Sequence, residues 1–175
     1  MQLFKKYCSD LYNAASKGDA AALAELGALG NKGSADAQVN LGVMYNHGEV
    51  VPQDSVQAVF WFRKSAEQGD AGAQVNLGLM YEYGAGVPKD FVQAAFWYRK
   101  SAEQGNAVAQ SNLGAMYATG DGVPKDGAMA YMWRNLAAAQ GDEDAKTARE
   151  SLEKEMTPAQ IAEAQKLSRE WKPNP

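Results

Sequence analysis

Cysteine and histidine are all but missing from this chain of 175 residues, which holds one of each, Cys8 and His47. A lone cysteine excludes an internal disulfide and a thiolate metal cluster. A lone histidine leaves neither a His-rich metal site nor a Cys–His pair with a third group to orient it. No metal and no cofactor is therefore expected. An excess of charge of one sign is missing too: the formal net charge is −4, and by segment it runs +1 over 1–34, −3, 0 and −1 over the next three stretches of 36, and −1 over 143–175. Without a basic stripe, nucleic acid is not an expected partner. No apolar run approaches the roughly 20 residues that cross a bilayer, so membrane insertion is not expected either. The start, Met1-Gln2-Leu3-Phe4-Lys5-Lys6, has no long apolar stretch or small-residue cleavage site and is not an intact signal peptide. The default location is cytoplasmic, or periplasmic or secreted if a leader has been removed. The oligomeric state is not legible, with a monomer as the default.

What is present is repetition. Residues 35–70, 71–106 and 107–142 are three versions of one 36-residue sentence, and the first two are identical at 25 of 36 positions. A fixed period of this size is the mark of a solenoid, whose units bury a face only against their neighbours.

The middle window shows how a unit is built. Ala71–Tyr81 has apolar residues at helical spacing, and Gly84-Ala85-Gly86 supplies the positive-φ stop favoured at a helix C-terminus. Val87-Pro88-Lys89-Asp90 restricts the chain entering a second helix, whose free N–H groups Asp90 is placed to cap. That helix runs from Phe91 to Glu103 and stops at Gly105, after which Asn106 can cap the next. The links are so short that the helices must be antiparallel neighbours. Gly42, Gly78 and Gly114 recur inside the first helices at about 1 kcal/mol each relative to alanine. A large side chain from the facing helix is expected over that register. Trp61, Trp97 and Trp133, with Tyr45, Tyr81 and Tyr117, read as core aromatics. In repeat 1, Val50 stands where the others have Gly86 and Gly122, so its turn is expected to differ.

The pattern Ala-x-Ala-Gln-x-Asn-Leu-Gly-x-Met-Tyr, Gly-x-Gly-Val-Pro-x-Asp, Ala-x-x-Trp-x-Arg-Lys-Ser-Ala-Glu-Gln-Gly resembles the Sel-one-like repeat, a relative of the tetratricopeptide repeat. The resemblance implies an all-α fold, a right-handed α/α superhelical solenoid of antiparallel helix pairs whose first helices line a concave side. It also implies work as an adaptor, scaffold or regulator. Outside the repeats, 2–17 and 19–32 read as a degenerate helical pair capping one end (1–34), and 143–175 as a helical cap and tail at the other. Thr157-Pro158-Ala159-Gln160 looks like a capping box opening Ala159–Trp171. The terminal Lys172–Pro175 is expected to be frayed. The whole is expected to be one continuous domain.

Where the repeats differ, residues are free to meet a partner. In the first helix of repeat 1 the differing positions are Asp36, Val39, Val43, Asn46 and His47, at offsets that trace one stripe of a 3.6-residue helix. Their counterparts are Gly72, Val75, Leu79, Glu82 and Tyr83, then Val108, Ser111 and the small residues after it. Asn40, Asn76 and Asn112 border the stripe without varying. Either they form a ladder of amides for the backbone of an extended ligand, or each serves its own fold. In tetratricopeptide relatives the corresponding positions face the concave groove and contact peptides. The mixture of apolar, aromatic and acidic side chains suits a protein or peptide with apolar anchors.

Catalytic constellations are wanting. Asp54, Asp90 and Asp126 share a register that marks helix caps. Gly84–Gly86 and Gly120–Gly122 precede Val-Pro rather than Lys-Ser/Thr and are not phosphate loops. Arg63-Lys64 and Arg99-Lys100 read as a solvated face. The expected function is therefore a non-enzymatic interaction module binding a protein or peptide. A bacterial immunity protein that neutralises a toxic effector is the alternative, and a structural spacer the third.

Overall fold

The structure, a computed structural model, describes residues 2–48 and 50–174. Among them are ten helices and no strand, an α/α solenoid of antiparallel helix pairs. The contacts divide the chain into two compact units, Met1–Lys89 and Asp90–Pro175.

The first unit holds α1 (Gln2–Ala15), α2 (Ala20–Asn31), α3 (Ala35–His47), α4 (Ser55–Glu67) and α5 (Ala71–Tyr83). The second holds α6 (Phe91–Glu103), α7 (Ala107–Thr119), α8 (Gly127–Ala139), α9 (Glu143–Glu153) and α10 (Pro158–Glu170). The helices start where a short polar side chain can satisfy free N–H groups. Asp54 Oδ1 accepts from the amides of Val56 and Gln57, and Asp90 and Asp126 repeat this at their own helices. Ser34, Asp70 and Asn106 each cap a first helix through a single bond. Thr157 and Gln160 complete a reciprocal capping box at α10. Gly48, Gly84 and Gly120 end the three first helices in the left-handed conformation.

Two turns then tighten further. Gly86 and Gly122 have φ of +71° and +69°, and a Cβ on either would drive into backbone, that of Ser55 and of Phe91 respectively. Val50 takes no positive φ, so the turn of repeat 1 does differ. A β-branched residue cannot adopt the conformation that the other two require.

The expected close approach at the glycine register is present. A Cβ on Gly42 would lie 2.6 Å from the Phe62 ring, and one on Gly114 2.8 Å from Arg134 Cγ and 3.1 Å from the Ala130 carbonyl oxygen. Gly78 is buried in α5. Trp61, Trp97 and Trp133 are buried, and none of the three indole N–H groups has a hydrogen-bond partner. The tyrosines at the other aromatic register are half-buried. Cys8 is fully buried, 3.8 Å from Ser34 Oγ, and burial pushes its thiol pKa up.

A feature that sequence reasoning missed holds successive helices together. Gln38, Gln74 and Gln110 are buried in the first helices. Their Nε2 atoms donate to the carbonyls of Gly30, Ala66 and Ala102 in the last turn of the preceding helix, at 2.9, 3.1 and 3.2 Å. Gln68 and Gln140 in turn donate to Gln38 and Gln110. The signal was available: a polar residue repeated without change inside an otherwise apolar face has a structural reason to be there.

Two other expectations change. Arg63 and Arg99 are not simply solvated. Each donates to the tyrosine hydroxyl eighteen residues on, Tyr81 and Tyr117, at 2.7 Å, while Lys64 lies over the Phe60 ring and Lys100 over Phe96. Nor is the tail free: the Asn174 amide donates to the Glu103 carbonyl at 2.7 Å, and Pro175 lies outside the described residues. A backbone bond with a partner far away in sequence could not be read from composition.

Gly42→Leu is expected to destabilise by about 1–3 kcal/mol through overpacking against Phe62, read as a lowered melting temperature. Were the site open, leucine would raise it through helix propensity. Gln110→Leu removes one donor and one acceptor from the interior and should cost about 1–3 kcal/mol in denaturant unfolding.

Candidate binding surface

Six of the ten varying positions of α3 and α5 line two pockets of the first unit. One, of about 310 Å³, is lined by Asp36, Val39 and Gly72 from the stripe and by Asn40 beside it, with Lys5 and Ser9 of α1 and Asp70. Its lining is evenly polar and apolar, with one ammonium and two carboxylates around it, and Asp70 already accepts the Ala73 amide as a helix cap. The other, of about 200 Å³, is lined by Asn46, Asn76, Leu79 and Tyr83, with Phe62, Met80 and Ala85. It is mostly apolar. Tyr83 stands at its rim with 72% of its surface exposed, far above what a core tyrosine shows.

The remaining candidates are placed differently. Val43 and Glu82 are half-buried and His47 exposed, and none lines either pocket. Val75 is buried at 8% exposure and offers little to a ligand. In α7 of the second unit, Val108 is 54% exposed and Ser111 and Asn112 are half-buried. Lys5 and Ser9 were not anticipated, because α1 lies outside the repeats and comparison between repeats is blind to it.

The three amides do not share one task. Asn40 Nδ2 donates to the Cys8 carbonyl of α1 at 3.1 Å. Asn76 Nδ2 donates at 3.1 Å to the Gly72 carbonyl, one turn back in its own helix. The Asn112 side chain makes no hydrogen bond among the described residues. Only the first ties two helices together. Among the described residues no group of three or more His, Cys, Asp or Glu could hold a metal ion, and no helix is long and apolar enough to cross a membrane.

The model of the Sel1 repeat matches residues 35–70, 71–106 and 107–142. The chain belongs to the Sel1 repeat family. Two solved structures resemble it. The crystal structure of c5321, a protective antigen present in uropathogenic Escherichia coli strains and displaying an SLR fold, is 34% identical with a TM-score of 0.83, over 95% of this chain and 37% of that one. A Sel1 repeat protein from Oxalobacter formigenes is 37% identical with a TM-score of 0.75, over 82% of this chain and 58% of that one. This chain thus spans less than two thirds of either protein's length. No curated protein matches it significantly. Sel1 repeat proteins are in general protein-interaction modules.

The different roles of the amides can be separated by stability. Asn40→Ala is expected to cost about 0.5–1.5 kcal/mol through the lost bond to α1. Asn112→Ala should be neutral or slightly stabilising, because alanine is the better helix former. Denaturant unfolding of the two variants checks both.

Proposed function

We propose that this Sel1 repeat protein is a non-enzymatic adaptor that binds a segment of a partner protein across the first-helix face of α3 and α5. In this reading an apolar side chain of the partner inserts between Leu79 and Tyr83, over Phe62 and Met80. A polar or charged group of the same segment lies near Lys5 and Asp36. The observation that supports this most is that six of the ten repeat-variable residues of α3 and α5 line two pockets on these helices. From Gly72 in one pocket to Leu79 in the other is seven residues of helix, about 10 Å at 1.5 Å per residue. An extended peptide covers that distance in three residues at about 3.3 Å each. The segment would thus present its polar and apolar groups at i and i+3. Helices α1 and α2 serve as the cap beside α3, and α9 with α10 as the cap beside α8.

The test is to select peptides on the native chain from a displayed library and to titrate a selected peptide against the Leu79→Ala, Tyr83→Ala double variant. Buried aromatic and aliphatic anchors commonly carry more than about 1 kcal/mol each, so the affinity is expected to fall at least about tenfold with an unchanged circular dichroism spectrum. Undiminished affinity in the folded variant would place the binding surface elsewhere.

A further inference from the structure

The second helices carry an apolar face that the structure leaves open in two cases and covers in the third. In α4, Val56 and Phe60 are 63% and 44% exposed; in α6, Val92 and Phe96 are 63% and 47% exposed. These are large side chains at i and i+4, on one side of each helix. In α8 the same register holds Ala128 and Met132, and there Met132 is 5% exposed. The difference is α10, which packs on α8. Leu167 and Trp171 share a cavity wall with Met129, Met132 and Trp133, and the Trp171 ring meets that of Trp133 edge-on at 6.0 Å.

The chemistry one turn further on differs between the open and covered cases. Where α10 docks, the position is Leu136. Where the face is open it is Lys64 or Lys100, whose ammonium groups lie 4.6 and 5.2 Å from the centroids of the Phe60 and Phe96 rings. No carboxylate lies within ion-pair distance of either lysine among the described residues. A helix covering these faces would therefore meet an apolar pair followed by a cation.

We infer that the outer face of α4, and separately that of α6, is a docking site for an amphipathic helix of a partner protein that carries an i, i+4 aliphatic–aromatic pair with an adjacent carboxylate. α10 is the pattern for that helix: Leu167 and Trp171 form the pair, and Glu170 lines the same cavity. Such a helix would bury Val56 and Phe60 as α10 buries Met132, and its carboxylate would draw Lys64 off the ring it now covers. The site is independent of the α3–α5 face proposed above and does not rest on it.

A synthetic, fluorescein-labelled peptide of residues 157–174 serves as the probe, since it carries both the pair and Glu170. Titrated with the full chain, it is expected to bind saturably. Phe60→Asp with Phe96→Asp should weaken binding at least about tenfold, and so should Lys64→Glu with Lys100→Glu; Lys64 is half-buried and Lys100 exposed, so circular dichroism of the variants checks that the fold is kept. The Leu79→Ala, Tyr83→Ala variant should bind the probe as the native chain does. A benzophenone at the Trp171 position of the peptide should cross-link to residues 55–67 or 91–103. Absence of saturable binding, or affinity unchanged in both double variants, overturns the proposal. So do cross-links confined to 127–139, where the peptide would only have displaced α10. Binding of the native chain to anionic vesicles that the lysine variant abolishes, with no peptide binding, would assign the faces to a lipid surface instead.

Discussion

A buried glutamine amide is the joint on which each repeat turns. A helix pair of this size cannot bury its apolar faces by itself, and stacking must also satisfy the carbonyls exposed at the end of the preceding helix. Gln38 does so for Gly30, Gln74 for Ala66 and Gln110 for Ala102. Hydrophobic contact alone is indifferent to small slips along a helix axis, whereas a bond from an interior amide to one carbonyl is not. The amide thus fixes the register of each first helix against the helix before it, while Gly42 and Gly114 take up the close approach of the helix after it, at Phe62 and at Arg134 with Ala130.

The same requirement explains what the sequence revealed. Helix limits were legible because caps, glycine stops and proline act locally: Phe91–Glu103 was read to the residue, and the Thr157 capping box was visible as a pattern. The glycine register announced a close approach, since a glycine recurring at one position inside three helices costs each of them stability that packing must return. What escaped depended on partners distant in sequence. Arg63 and Arg99 looked like surface charges until their tyrosine partners appeared, and the C-terminal tail looked loose until Asn174 was found bonded to Glu103. At the candidate site the α3 and α5 residues were named from repeat comparison, while Lys5 and Ser9 were not. A residue outside the repeats has nothing to be compared with.

Two kinds of surface arise from one repeating unit. The first helices vary from copy to copy, and varying residues of α3 and α5 line small pockets. On the second helices, Val and Phe at 56 and 60 recur at 92 and 96 and change only in α8, where α10 lies over them. Variation marks one face and constancy with exposure marks the other. A side chain kept apolar in water, with a lysine folded over it, is a different physical statement from a side chain free to change.

The turn glycines Gly86 and Gly122 carry a consequence for how this gene can grow. Each sits against the first residues of a second helix one repeat earlier, and each joint glutamine reaches the helix just before its own. Every contact of this kind spans a fixed distance along the chain, and nothing in it depends on how many copies stand before or after. Loss or duplication of a 36-residue stretch would carry a complete set of such contacts with it. Duplication of the middle stretch would therefore leave the contacts at each seam intact, whereas the first and last copies also carry the contacts that hold α1 and α10.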